Sequence, residues 1–165
     1  MFVASGWTIY FHRIFAERYN QLLARVAALR RALPPEQYGQ HPSVKLLAKI
    51  TRIIRETVPT KPDAPEFRLK RDLAKFRRIE GLGLPDRYRL FWVFSSSLRT
   101  IIFLYVNDET TLRKQGADTD PYEVFKRLIS RREIGADFGE NWEMIREDVD
   151  HRTSDAAIAI TLPAV

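Results

Sequence analysis

The chain has 165 residues, 45% hydrophobic and 12% aromatic, which suits one domain of ordinary size with a real core and excludes a disordered polypeptide. It contains no cysteine, which excludes disulfides, thiolate metal sites and a cysteine nucleophile. The net charge of +6 favours an anionic partner.

No apolar run reaches the length of a membrane span. The opening "MFVASGWTIYFHRIF" has no basic leader, and His12 and Arg13 interrupt its apolar run, so no signal peptide is expected. These features are compatible with a cytoplasmic protein that has no membrane partner.

"WTIYF" (Trp7 to Phe11) predicts a short strand of aromatic and β-branched residues. The period then changes. Phe15, Tyr19, Leu22, Val26, Leu29 and Leu33 mark the stripe of an amphipathic helix that Pro34 and Pro35 stop. A second stripe runs from Val44 or Leu47 through Ile50 and Ile53 or Ile54 to Thr57, and "PTKPDAP" ends it. Together they predict an antiparallel helical hairpin.

The period next falls to two. "KFRRIEG" (Lys75 to Gly81), "YRLFWVFSS" and "TIIFLYV" (Thr100 to Val106) predict three strands. The last is apolar throughout, as a strand at the centre of a sheet would be. Asp120, Pro121 and Glu123 predict the start of a third helix, with Val124, Phe125, Leu128 and Ile129 facing inward. A short helix around Trp142 to Glu147 is compatible with the pattern.

The plan β-α-α-β-β-β-α is an α+β arrangement: a small, mostly antiparallel sheet with helices on one face, the other face being left as a working surface. Residues 1–148 are expected to form the single domain, and residues 149–165 a C-terminal tail.

Basic residues cluster on the strands. Arg68, Lys70, Arg71, Lys75, Arg77 and Arg78 oppose only Asp72 between positions 68 and 78, and Arg87 and Arg89 follow the turn. Strand alternation puts Arg87 and Arg89 on one face, and Tyr88, Leu90 and Trp92 on the other. Tyr88, Tyr105, Tyr122 and Phe76 lie among the cations, the mixture that neutralises phosphates and stacks bases of a single-stranded nucleic acid. A solvated basic edge is the competing reading. Asp108 and Glu109 lack a third ligand at suitable spacing, so no metal site and no cofactor are expected. From Asp137 to Asp150 six acids oppose one base, Arg146; this is either a solvated acidic helix or a segment that screens the basic surface, anchored by Trp142.

The segments "GWTIYFHRIF", "VKLLAKITRII" and "RYRLFWVFSSSLRTIIFLYVNDETTLRKQGADTDPYEVF" resemble, in order and spacing, the YhaV family of bacterial toxins, over roughly residues 6 to 145. The resemblance implies a RelE-like ribonuclease fold and an endoribonuclease that cleaves mRNA without a metal, either free or on the ribosome. It also implies an antitoxin partner of the PrlF type, a small AbrB-like protein through which operator DNA would be contacted. By the same resemblance Arg89 is the phosphate ligand, Arg113 the basic residue of the loop after the last strand, and Tyr122 the tyrosine opening the final helix. Arg78 stands where a lysine is common. Glu80 stands where a second basic residue is common, and serves either as general base or as partner of a nearby arginine. Arg87, Lys75, Arg77, Lys114 and Tyr88 complete the expected RNA surface. The alternatives are a non-catalytic nucleic-acid-binding module and an inactive homologue that retains only antitoxin binding.

Overall fold

The computed structural model describes residues 1–108 and 120–152. It begins with a hairpin of β1 (Phe2–Ala4) and β2 (Trp7–Phe11). Ser5 and Gly6 form its turn, both with positive φ, the twist that suits a two-residue connection. β1 has no signature in the sequence, because three residues carry no measurable alternation.

α1 (Arg13–Ala32) starts at His12, whose ring accepts a hydrogen bond from the Ile14 amide. Leu33 and Pro34 end it. A short α2 (Pro35–Gln40) then leads to α3 (Pro42–Arg52), again capped by a histidine, His41. This helix widens into a π turn at Ile53–Thr57 and closes with α4 (Val58–Thr60). Pro59 lacks the N–H that an α-helix would direct at Arg55, and the π turn accommodates that gap. The helical hairpin thus runs three residues beyond its expected end.

Two 3₁₀ turns, Pro65–Phe67 and Arg71–Leu73, precede β3 (Arg77–Ile79), β4 (Leu90–Ser95) and β5 (Thr100–Val106). The strand order is β1-β2-β5-β4-β3, with β2 parallel to β5 and every other pair antiparallel. All seven residues of β5 are buried at the sheet centre, as their composition predicts. α5 (Pro121–Ser130) starts at Asp120, whose carboxylate accepts from the Tyr122 amide at 2.8 Å. The fold is therefore α+β with a small mixed sheet, consistent with a RelE-like plan.

The expected open face is covered. On one side Phe15, Tyr19, Ile50, Ile54, Trp92 and Phe103 pack between the helical hairpin and the sheet. On the other, Phe91, Ile102, Leu104, Phe125, Ile134 and Ile145 pack beneath α5 and α6 (Phe138–Arg152). Phe125 stacks on Phe91 with centroids 4.2 Å apart, and Trp142 meets Tyr10 edge-on at 5.1 Å. Both faces of β4 and β5 are apolar, so a bare face would expose a large apolar surface to water. The sequence signal for α6 was weak because its acids mask the narrow apolar stripe of Trp142 and Ile145. Of the expected tail, residues 149–152 continue α6, and residues 153–165 lie outside the described residues.

Candidate active site

The expected site residues that lie among the described residues gather at one end of the β3–β4 pair, not on an open sheet face. In the β3–β4 ladder Arg78 stands opposite Phe91, and Ile79 opposite Leu90. One further step brings Glu80 opposite Arg89. Arg78 and Glu80 are two residues apart and so share a face. Ile79, between them, is buried on the helical-hairpin side.

The side chains follow that register. The Glu80 carboxylate lies between the two guanidinium groups, 2.7 Å from an Arg78 terminal nitrogen and 2.6 Å from Arg89 Nε. The second contact is an ion pair only, since the buried Nε–H of Arg89 is not directed at a hydrogen-bond acceptor. Arg78 Nε donates to the Tyr122 hydroxyl at 2.6 Å. Tyr122 is held by the first turn of α5 and by an edge-on contact with Phe91 at 5.6 Å. Arg78, Glu80, Arg89 and Tyr122 thus come from three elements and form one chain of contacts, Tyr122–Arg78–Glu80–Arg89.

Chemically this is two guanidinium forks beside a phenol, bridged by one carboxylate. Guanidinium forks fit phosphate oxygens in pairs. Because the phenol oxygen accepts from a cation, its own proton is left to be donated elsewhere. Among the described residues no three His, Cys, Asp or Glu side chains converge on one point.

The other expected RNA contacts are dispersed. Tyr88 is 5% exposed and packs on the helical-hairpin side, opposite to Arg89. Tyr88 and Arg89 do lie on opposite faces, but the face that Tyr88 joins is core. Phe76 and Tyr105 are buried as well, which leaves Tyr122 as the accessible ring of the four expected aromatics. Arg87 does not extend β4: its φ is 69° and it is exposed in the turn before the strand, so the expected pairing of faces with Arg89 does not hold.

Arg77 faces away from the cluster. It binds Asp63 at 2.7 Å and the carbonyls of Ala74 and Phe76, and lies over the Phe94 ring. Burial pushes the Asp63 carboxyl up, but hydrogen bonds from Arg68 and Arg77 hold it below the usual carboxylate range. Lys75 turns to Asp137 at 3.3 Å. That contact, with the Glu143–Arg146 pair and the Glu140 bond to the Ala136 amide, occupies acids of the 137–150 segment locally rather than at the arginine cluster. Arg113 and Lys114 lie outside the described residues.

Two groups at the end of β5 were not read from the sequence as site residues. Arg18 of α1 pairs with Asp108 and lies over the Tyr105 ring, which places a further cation where the chain leaves the sheet. Asn107 is 2% exposed and bonds to the backbone of Arg89. A cation inside a helix stripe and an asparagine after a strand have no distinctive spacing.

Comparison with known families decides the classification. The YhaV toxin model, described as "Toxin with endonuclease activity, of toxin-antitoxin system", matches residues 9–149. The chain belongs to the YhaV toxin family. "Toxin YhaV" of Escherichia coli O6:H1 is 36% identical over 152 residues, which cover 88% of this chain and 94% of that protein. "Ribonuclease toxin YhaV" of Escherichia coli K12 is 35% identical over the same length, with the same coverage. No solved structure matches. As a family member the chain is a toxin with endonuclease activity that has an antitoxin partner. No helix among the described residues is long and apolar enough to cross a membrane.

Proposed function

We propose that this toxin is a metal-independent endoribonuclease whose active site is the Tyr122–Arg78–Glu80–Arg89 cluster. RNA is the substrate suggested by the name of the ribonuclease toxin to which the chain is similar. The single observation that carries the reading is the meeting of two guanidinium groups and a phenol at the end of β3 and β4.

In this reading Arg89 and Arg78 bind the non-bridging oxygens of the scissile phosphate. The 2′-hydroxyl loses its proton to solvent and attacks phosphorus, giving a 2′,3′-cyclic phosphate. Positive charge is already in place where negative charge develops. Tyr122 gives its phenolic proton to the departing 5′-oxygen and is reprotonated from solvent, with Arg78 stabilising the transient phenolate. Glu80 holds the two guanidinium groups in position until the phosphate displaces it. Arg113 and Lys114, which follow β5 in the sequence, and Arg87 extend the cationic path for the RNA.

The toxin domain is taken as residues 1–148, a boundary that falls inside α6. The antitoxin is a PrlF-type protein, and operator DNA is reached only through that complex. The cytoplasm holds the mRNA target, whether free or on the ribosome.

The test is cleavage of a single-stranded RNA in EDTA by the intact chain and by Arg89→Ala. Cleavage should persist in EDTA and fall about 10²- to 10³-fold in the variant, the loss typical of removing one group that stabilises transition-state charge. Undiminished cleavage by a folded Arg89→Ala protein would overturn the assignment. RNA binding without cleavage by the intact chain would make the surface a binding module.

A further inference from the structure

The residue that aims Arg89 lies across the sheet, one position past the end of β5. Leu90 stands opposite Val106 in the β4–β5 ladder, so the next rung outward pairs Arg89 with Asn107. A hydrogen-bonded antiparallel pair exchanges two main-chain bonds. Here the first is present, from the Asn107 amide to the Arg89 carbonyl at 3.4 Å. The second is made by a side chain: the Arg89 amide donates to Asn107 Oδ1 at 2.6 Å. The carboxamide thus takes the place of a main-chain carbonyl, and β5 can end while the rung is still closed.

The other half of the carboxamide is also used. Asn107 Nδ2 donates to the Arg87 carbonyl at 3.0 Å. Arg87 has a φ of 69°, a left-handed conformation that a non-glycine residue keeps only when its surroundings enforce it. One buried side chain therefore fixes the backbone on both sides of Tyr88. Arg89 then returns its own guanidinium to the Tyr88 carbonyl at 2.8 Å and to Glu80.

We propose that Asn107 is the positioning residue of this active site: it acts through the Arg89 backbone to place the guanidinium against the scissile phosphate, and touches no substrate itself. The inference rests on the reading of Arg89 as the phosphate ligand. It assigns to the end of the central strand a role in cleavage that its burial alone would credit to folding.

A double-mutant cycle of Asn107→Ala and Arg89→Ala tests it, with single-turnover cleavage of a short RNA, RNA affinity and thermal melting measured on each intact chain. Asn107→Ala should lower the cleavage rate about 10- to 100-fold, the cost of misplacing a reacting group by an ångström or less. RNA affinity should change less than about 3-fold, because contacts along the rest of the RNA remain. In the Arg89→Ala background the same substitution should change the rate by less than about 3-fold, because the group it aims is gone.

Equal losses in both backgrounds would overturn the inference and leave Asn107 a purely structural residue. An unchanged rate for Arg89→Ala would instead overturn the phosphate-ligand reading on which it rests, so the two failures are distinct. Where Asn107→Ala is not recovered folded, Asn107→Asp serves. It keeps the shape and the acceptor for the Arg89 amide, but sets an oxygen against the Arg87 carbonyl. Its rate loss should likewise vanish in the Arg89→Ala background, and persistence of that loss would refute the proposal.

Discussion

Glu80→Gln separates the two roles open to this carboxylate. The glutamate makes ion pairs of 2.7 and 2.6 Å with arginines whose side chains are 20% and 22% exposed, while its own side chain is 38% exposed. Solvent screens such pairs, so each is discounted to about 0.5–1 kcal/mol, or about 1–2 kcal/mol together. A phosphate must displace the carboxylate before it can take both guanidinium groups. Removing the negative charge lifts that competition, and about 1–2 kcal/mol corresponds to roughly 5- to 30-fold tighter binding. The assay is fluorescence anisotropy with an RNA made uncleavable by a 2′-deoxy substitution, at fixed salt, alongside thermal melting. The expected result is tighter binding, a melting temperature lower by a few degrees and cleavage within about tenfold of the parent. A cleavage loss of about 10²-fold or more with unchanged affinity would refute this reasoning and make Glu80 the general base.

Tyr122→Phe keeps the ring on Phe91 and removes the hydroxyl that meets Arg78, so kcat should fall about 10²- to 10⁴-fold with little change in melting temperature; an unchanged kcat would remove Tyr122 from the chemistry. His12 has its pKa lowered to about 4 by burial first and by Arg13 second, against an opposing pull from Asp148. The unfolded chain therefore binds a proton near pH 6.5 that the folded one refuses, and stability should fall as pH drops from about 6.5 to 4, by about 3 kcal/mol. His12→Asn retains a capping side chain and should flatten that slope in denaturant titrations across the range; an unaltered slope would place the titration elsewhere. Deleting the chain from Glu140 onward removes Asn141, which bonds to the Gly135 amide and carbonyl, together with buried Ile145 and the Trp142 contact on Tyr10. The truncated chain should lose cooperative unfolding in calorimetry, whereas a folded truncation with raised RNA affinity would restore the idea of an acidic screen.

Several features were legible in the residues alone. The two helical stripes, the Asp120 cap and the apolar run of Thr100 to Val106 each hold their signal within a dozen neighbours, because helix and strand periods are local properties of the chain. The run from "RYRLF" to "YEVF" carried the family resemblance, and with it the choice of Arg78, Glu80, Arg89 and Tyr122, which the fold brings together. The tertiary structure decided what those residues touch. Glu80 meets Arg89 because the β3–β4 register is one step and no other, and register depends on a partner strand. Tyr88 is core and Arg89 stays partly exposed because one face of the sheet end meets the helical hairpin and the other meets solvent beside α5. α6 covers a face that the strand pattern could not assign, since alternation tells which residues share a face but not what lies against it. Asn107 replaces a main-chain rung only because β5 ends opposite Arg89. That coincidence of two strand ends is a property of their pairing in space, and no spacing along the chain encodes it.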